Sequence, residues 1–167
     1  LPDRYIPPGS ASSTTISGDN TITAKSLVGG LTEFTFRLNN SFTMASVTLD
    51  GRAITVTRLD STTVRANFDR PYALNEQFTL FVPYSGTALS GFFGSIEFGT
   101  RSSGAPYCFT LSEPWYSYTW WPNKDDNTDK STFDLNVTVP NTMKVVGNGT
   151  LQGTDVVAGG KLKYRWH

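Results

Sequence analysis

The sequence predicts an all-β protein, an antiparallel β-sandwich with few or no helices. Val, Ile, Thr, Phe and Tyr are abundant and are interrupted at short intervals by Gly, Asn, Asp and Pro, which is typical of many short strands. Several segments alternate apolar and polar residues with a period of two, and no long segment combines helical spacing with capping residues. Aromatic residues make up 13% of the chain and supply the large side chains that two packed sheets bury between them.

The first half of the chain contains two alternating segments and one hairpin signal. Residues 34–38 and residues 78–82 alternate in the way expected of strands with one buried face, with Phe81 as an aromatic side chain on the opposite face. Asp50-Gly51 separates two further strand-like segments, and this dipeptide favours a two-residue turn in which both residues have positive φ. We therefore expect a tight hairpin at this position.

The second half of the chain carries the clearest alternation. Residues 133–139 place Phe133 and three aliphatic side chains on one face, which we expect to be buried. Gly159-Gly160 precedes a predicted strand at residues 161–166, and Asn148-Gly149 is a possible turn after a predicted strand at residues 143–146. Together these signals predict a single β-sandwich domain over residues 14–167, preceded by an extended Pro- and Ser-rich segment at residues 1–13.

Composition and charge exclude several classes of function. The 14 basic residues balance the 14 acidic ones, so no net charge attracts the chain to nucleic acid or to an anionic membrane surface. No apolar segment approaches the roughly 20 residues of a membrane-spanning helix. A single cysteine, Cys108, excludes an intrachain disulfide, and a single histidine, His167, excludes a Cys/His metal cluster. We therefore predict no metal site in this chain.

The start of the chain and the single cysteine give only weak indications of compartment and reactivity. Residues 1–13 lack the charged and apolar regions of a signal peptide, which leaves the compartment open with a lean towards a secreted or periplasmic location. We expect Cys108 to be a small buried apolar residue rather than a reactive thiol.

The segment between residues 110 and 133 breaks the alternating pattern. Its aromatic residues are too dense for one strand face, and we expect either that they form core and domain interface or that they stack on a carbohydrate. The first interpretation is favoured, and a non-catalytic adhesion or scaffold domain remains a further alternative. The candidate aromatic patch comprises Trp115, Tyr118, Trp120 and Trp121.

The polar loop that follows this patch contains three aspartates. Asp125, Asp126 and Asp129 offer oxygen ligands of the kind that calcium prefers, but their spacing does not fit an EF-hand loop. We expect a solvated turn with Lys130 nearby.

Three motifs in this segment resemble the N-terminal domain of the aminopeptidase N-like family of zinc metallopeptidases. That family has a T-Q-x-E motif, then seven residues, then F-P-C-x-D and K-A-T-F. The corresponding residues here are Thr-Leu-Ser-Glu at 110–113, Trp-Pro-Asn-Lys-Asp at 121–125 and Lys-Ser-Thr-Phe at 130–133, and the spacing matches without a gap. The resemblance extends from about residue 31 to the end of the chain, whereas the first 30 residues match poorly.

The resemblance implies a division of labour between domains. In this family the N-terminal domain is a curved, saddle-like β-sandwich that packs on a separate catalytic domain, which holds zinc in an H-E-x-x-H motif. This motif is absent here, so the chain is expected to be inactive alone, with its partners being the catalytic domain of the same polypeptide and the N-terminus of a peptide substrate. Zinc is expected only in that catalytic domain.

The resemblance also implies two substrate-binding residues. Glu113 matches the acidic residue of T-Q-x-E, which helps to hold the free α-amine of the substrate, and a carboxylate suits an ammonium group. Leu111 occupies the position of the glutamine, which contacts the pocket for the first side chain. The alternative for Glu113 is a structural role, either capping the turn before Pro114 or pairing with a surface Lys or Arg. Asn123 in place of the usual cysteine leaves substrate preference open.

Overall fold

The structure, a computed structural model, describes residues 15–88 and 94–167, and the predicted extended segment at residues 1–13 lies outside these ranges. The described residues form thirteen strands and one short 3-10 helix, so the predicted all-β class is confirmed. The strands are β1 (Thr15–Lys25), β2 (Leu31–Arg37), β3 (Phe42–Met44), β4 (Thr48–Leu49), β5 (Arg52–Ala53), β6 (Val56–Arg58), β7 (Thr63–Tyr72), β8 (Gln77–Thr87), β9 (Gly94–Thr100), β10 (Pro106–Ser112), β11 (Leu135–Pro140), β12 (Leu151–Val157) and β13 (Lys161–Trp166), and the 3-10 helix is Ser117–Thr119.

Two antiparallel sheets form the body of the sandwich. In the first sheet the strand order is β1-β8-β4-β5, and β3 also pairs with β8. The long pairing of β1 with β8 runs without interruption from Thr15 opposite Thr87 to Lys25 opposite Gln77. The second sheet has the order β2-β7-β6.

The core lies between these two sheets. On β8 the residues Phe78, Leu80 and Val82 are buried, whereas Phe81 between them is exposed, as the alternation predicted. The ring of Phe78 makes edge-to-face contacts with three rings at centroid distances of 5.0–5.7 Å, a geometry that adds to the free energy of simple area burial. Its three partners are Phe34, Phe68 and Tyr72.

The hairpin predicted at Asp50-Gly51 is confirmed. Both residues have positive φ, at 48° and 79°, and they join β4 to β5 in the register Leu49 opposite Arg52. The carboxylate of Asp50 also accepts hydrogen bonds from the hydroxyl of Tyr72 at 2.6 Å and from the N–H of Thr79 at 2.8 Å. The turn residue therefore ties the hairpin to both sheets.

Two smaller sheets extend the sandwich. β9 pairs only with β10 among the described strands, and β13 lies between β11 and β12. The predicted strand at residues 161–166 and the turn at Gly159-Gly160 are both present, with φ values of 78° and 69° at the two glycines. No described helix is long and apolar enough to span a membrane.

Several local predictions for this half of the chain are wrong. β11 begins at Leu135, so Phe133 lies before the strand, and its side chain is 43% exposed rather than part of the core. Residues 143–146 form no strand. Cys108 is exposed on β10, so the expectation of a buried side chain is wrong.

Candidate functional site

The segment that follows β10, residues 113–129, folds back onto the main sandwich through one tight turn, and we call it the anchored segment. Tyr116 has a φ of 85° and precedes the 3-10 helix. Thr119 is buried, and both its N–H and its hydroxyl donate to the carbonyl oxygen of Tyr116, at 3.0 and 2.6 Å. These bonds close the turn and direct the chain into Trp120 and Trp121.

Backbone hydrogen bonds fasten this segment to the strand β2. Asn123 and Arg37 exchange two backbone hydrogen bonds of 2.7 and 3.1 Å, which form an isolated antiparallel bridge. The N–H of Asn39 donates to the carbonyl of Tyr118 at 2.8 Å. The side-chain amide of Asn20 donates to the carbonyl of Pro122 at 2.5 Å, so β1 holds the segment as well.

Arg37 makes a second set of contacts through its side chain. Its guanidinium lies 3.2 Å from the carboxylate of Asp125 and 4.0 Å above the ring of Tyr118, and it donates to the hydroxyl of Thr62. The side chain of Asp125 is only 3% exposed. Burial raises the pKa of this carboxyl, while Arg37 and nearby backbone N–H groups act to lower it. Asp125 is thus a buried anchor, and its predicted place in a solvated turn is wrong.

The rest of the polar loop is exposed and partly self-contained. The carboxylate of Asp126 accepts hydrogen bonds from the N–H and the hydroxyl of Thr128 at 2.9 and 2.6 Å. Lys124 pairs with Asp129 and lies 3.8 Å from Asp126. Among the residues that the structure describes, no group of three or more His, Cys, Asp or Glu side chains could hold a metal ion.

The four residues of the predicted aromatic patch have different environments. Trp121 packs against the core and lies 5.0 Å from Phe133 between ring centroids. Tyr118 lies beneath Arg37, and Trp120 is half-buried beside Trp121 with a tilt of 42° between the two rings. Trp115 is 51% exposed. The four rings therefore do not form one flat exposed platform.

A small cavity lies beneath Trp120 and Trp121, at the junction of the main sandwich with the start of β11. Aromatic and polar side chains line it in similar measure. Its lining residues are Asp19, Asn20, Tyr84, Trp120, Trp121, Phe133, Asp134, Leu135 and Asn136.

Glu113 lies directly after β10, at the beginning of this anchored segment. Its side chain is exposed, and its carboxylate has no hydrogen bond or ion pair with any residue in the described ranges. The residues on either side are both held: the hydroxyl of Ser112 accepts from the indole N–H of Trp120 at 3.2 Å, and the carbonyl of Pro114 accepts from the amide of Asn127 at 2.8 Å. The site therefore presents a free carboxylate on a restrained backbone.

Leu111 belongs to an exposed apolar face of β10. Tyr107, Phe109 and Leu111 alternate along the strand and are 37%, 50% and 41% exposed. The rings of Tyr107 and Phe109 are stacked, with centroids 6.1 Å apart and planes 19° from parallel. We call Tyr107, Phe109 and Leu111 the β10 face. Leu111 is the residue of this face that is nearest to Glu113 in the sequence.

Sequence reasoning missed the residues that hold this site in place. Arg37 lies at the end of a strand, 88 residues before Asp125, and no local pattern links the two. Trp120 was recognised only as an aromatic residue, although its indole N–H reaches Ser112. Asn127 lies in a polar loop whose composition indicated only a turn.

Comparison with known proteins identifies the domain. The family model for the peptidase M1 N-terminal domain matches residues 11–167, so the similarity begins well before residue 31, where the motifs had suggested that it starts. A search of curated proteins finds no match.

Solved structures with the same fold include M1 zinc metallopeptidases. One from Deinococcus radiodurans is 21% identical with a TM-score of 0.78, covering 97% of this chain and 36% of that chain. A mutant enzyme from the same organism, bound to a Tyr-Ser-Ala substrate, is 19% identical with a TM-score of 0.75, covering 92% and 35%. A two-domain mutant enzyme bound to L-arginine is 23% identical with a TM-score of 0.77, covering 97% and 36%.

At these identities the likeness to solved structures shows the fold, and this chain spans about a third of the length of those proteins. The family match supports a stronger conclusion, because it covers every residue that the structure describes. On that match, the chain belongs to the family of non-catalytic peptidase M1 N-terminal domains.

Proposed function

We propose that this chain is the N-terminal domain of a zinc aminopeptidase, that it packs on the catalytic domain of the same polypeptide, and that Glu113 helps to recognise the free N-terminus of the peptide substrate. Membership of the M1 N-terminal family supports the first part. The similar structures include one with a peptide substrate and one with a free amino acid.

The proposal depends on the surroundings of the Glu113 carboxylate. Its carboxylate is exposed and has no partner among the described residues, while the hydrogen bonds at Ser112 and Pro114 restrain the chain around it. A substrate ammonium at ~3 Å would form a charge-assisted hydrogen bond, with a contribution on the order of 1.5–3 kcal/mol. A carboxylate that was already bonded within its own domain could not bind the substrate ammonium in this way. The described contacts of Glu113 include neither a turn-capping hydrogen bond nor an ion pair.

Leu111 fits a role beside Glu113. It is 41% exposed and lies two residues earlier in the chain, near the end of β10. An exposed aliphatic side chain offers an apolar contact but no hydrogen bond. In our proposal Leu111 contacts the first side chain of the substrate, and it favours an apolar residue there.

The exposed apolar residues support docking on another domain. The β10 face and Trp115 leave large apolar side chains in contact with water, and such surfaces mark interaction sites in soluble domains. Aromatic residues are enriched in the buried centres of interfaces. The carbohydrate-binding alternative would favour coplanar exposed rings, whereas Trp120 and Trp121 are tilted and half-buried.

The chemistry of peptide hydrolysis belongs to the proposed partner domain. A zinc ion in such a site polarises the scissile carbonyl and activates a water molecule. The described part of this chain offers no cluster of metal-ligating side chains, so its own contribution is to bind and orient the substrate amine. Anchoring the amine at Glu113 would restrict cleavage to the first peptide bond.

Substitution of Glu113 by glutamine in the polypeptide that contains both domains tests the proposal. Glu113→Gln keeps the shape but removes the charge, and we expect kcat/KM for free-amine peptides to fall by about 10- to 100-fold. Glu33→Gln on β2 is the matched control, since its exposed ion pair with Arg65 contributes little. A kcat/KM for Glu113→Gln equal to that of the control would refute amine recognition.

A further inference from the structure

Two side chains from separate parts of the anchored segment hold the residues on either side of Glu113. The indole N–H of Trp120 donates to the hydroxyl of Ser112 at 3.2 Å, and the side-chain amide of Asn127 donates to the carbonyl of Pro114 at 2.8 Å. The two donors, Trp120 and Asn127, lie seven and fourteen residues after Glu113 in the sequence.

Each of these donors is itself held in place. The ring of Trp120 lies 5.7 Å from that of Trp121, which packs against the hydrophobic core. Asn127 lies in the turn where the N–H of Asp129 donates to the carbonyl of Asp126 at 3.1 Å. The restraint on Glu113 is therefore connected to the core on one side and to a hydrogen-bonded loop on the other.

We infer that Trp120 and Asn127 are positioning residues that fix the backbone at Glu113 so that its carboxylate meets the substrate amine. This inference rests on the proposed function of Glu113. A free carboxylate on a loosely held loop would lose conformational entropy when it bound the ammonium, whereas one on a restrained backbone loses less. The geometry assigns this restraint to two hydrogen bonds whose donors, Trp120 and Asn127, bond to the residues beside Glu113 and not to Glu113 itself.

A double-mutant cycle tests the inference in the polypeptide that contains both domains. Trp120→Phe removes the indole N–H and keeps an aromatic ring, while Asn127→Ala removes the amide donor. Each variant is expected to lower kcat/KM for free-amine peptides by about three- to tenfold. In a Glu113→Gln background the same substitutions are expected to have less than a twofold effect, because residues that act through Glu113 are not additive with it.

Two further variants keep the test interpretable. Asn67→Ala is the matched control. Asn67 also donates its side-chain amide to a backbone carbonyl, that of Thr55 at 3.2 Å, but it lies on β7 and has no hydrogen bond with residues 112–114. It is expected to leave kcat/KM unchanged. Ser112→Ala removes the acceptor of the Trp120 hydrogen bond and replaces Trp120→Phe if that variant does not fold.

The possible outcomes separate the inference from the proposed function. If Trp120→Phe and Asn127→Ala lower kcat/KM by the same factor in the Glu113→Gln background as in the parent protein, the positioning role is overturned. Amine recognition by Glu113 is then left intact. Unchanged kcat/KM in Trp120→Phe, Ser112→Ala and Asn127→Ala, beside a clear loss in Glu113→Gln, would overturn it as well. An unchanged kcat/KM in Glu113→Gln itself would overturn the proposed function and the inference with it.

Discussion

The guanidinium of Arg37 lies 3.2 Å from the carboxylate of Asp125, although 88 residues separate them in the sequence. Arg37 ends a strand of the second sheet, and Asp125 lies in the loop after the aromatic segment. Their contact, together with the backbone bridge between Arg37 and Asn123, joins the segment that carries Glu113 to the main sandwich.

Loss of Arg37 should destabilise the domain more than loss of an ordinary surface arginine. Arg37→Ala would leave the carboxylate of Asp125, which is 3% exposed, without its cationic partner. Because Arg37 itself is 34% exposed, solvent screening reduces the cost, and we expect the free energy of unfolding to fall by about 1–3 kcal/mol. Urea denaturation of the purified domain measures it.

The matched control for Arg37→Ala is Arg165→Ala. Arg165 also pairs with an aspartate, Asp155 at 2.9 Å, but both side chains are about half exposed. Its removal should cost no more than about 1 kcal/mol. Equal losses in the two variants would show that the Arg37–Asp125 pair is not an anchor.

The two phenylalanines Phe78 and Phe133 should differ in their contribution to stability. Phe78 is 2% exposed and contacts three other rings, so Phe78→Ala should lower the free energy of unfolding by about 3–5 kcal/mol. Phe133 is 43% exposed and contacts Trp121 at the edge of the core, so Phe133→Ala should cost about 1–2 kcal/mol. Chemical denaturation of both variants checks the ranking, which a larger loss at Phe133 would reverse.

Local patterns predicted β8 and the Asp50-Gly51 turn well because both leave a clear signal in a few neighbouring residues. The alternation on β8 predicted which side chains are buried and which face Phe81 occupies. The Asp50-Gly51 dipeptide predicted a tight turn, because few other residues accept positive φ at both positions. In both cases the signal is carried by neighbouring residues, although the partners that bury these side chains are distant in sequence.

The same reasoning failed where tertiary context decides burial. Phe133 continues the alternation of β11, but the strand pairing with β13 begins only at Leu135 opposite Trp166. Asp125 lies in a loop of charged residues, and its burial depends on a distant arginine. The motif spacing located Glu113, yet nothing in the sequence revealed that Trp120 and Asn127 restrain the residues beside it.

Asp50 should contribute to stability in a pH-dependent way. The hydroxyl of Tyr72 and the N–H of Thr79 donate to its carboxylate, and the Tyr72 hydrogen bond is the largest cause of the lowered pKa of Asp50. A carboxyl whose folded pKa is lowered stabilises the protein above its unfolded pKa of about 3.9, and the contribution is lost as pH falls through the lower folded value. Stability should therefore decrease in this acidic range.

Asp50→Asn isolates that contribution. Asn keeps the turn, because it also accepts positive φ, but it does not titrate. The difference in free energy of unfolding between the parent protein and Asp50→Asn should be constant above about pH 5 and should shrink as the pH falls from there towards the folded pKa of Asp50. Denaturant titrations at a series of pH values measure the difference, and a constant gap across that range would contradict the assignment.

The β10 face provides a test of docking that is independent of catalysis. Phe109 is 50% exposed and lies on a two-stranded sheet outside the main core, so Phe109→Ser should change the free energy of unfolding of the domain by less than about 1 kcal/mol. If the face packs on a catalytic domain, the same substitution should weaken association between separately produced domains by about tenfold or more, since buried aromatic residues contribute strongly at interfaces. Calorimetric titration measures the affinity. Thr57→Ser, an exposed substitution on β6, is the control, and an unaltered affinity in Phe109→Ser would place the domain contact elsewhere.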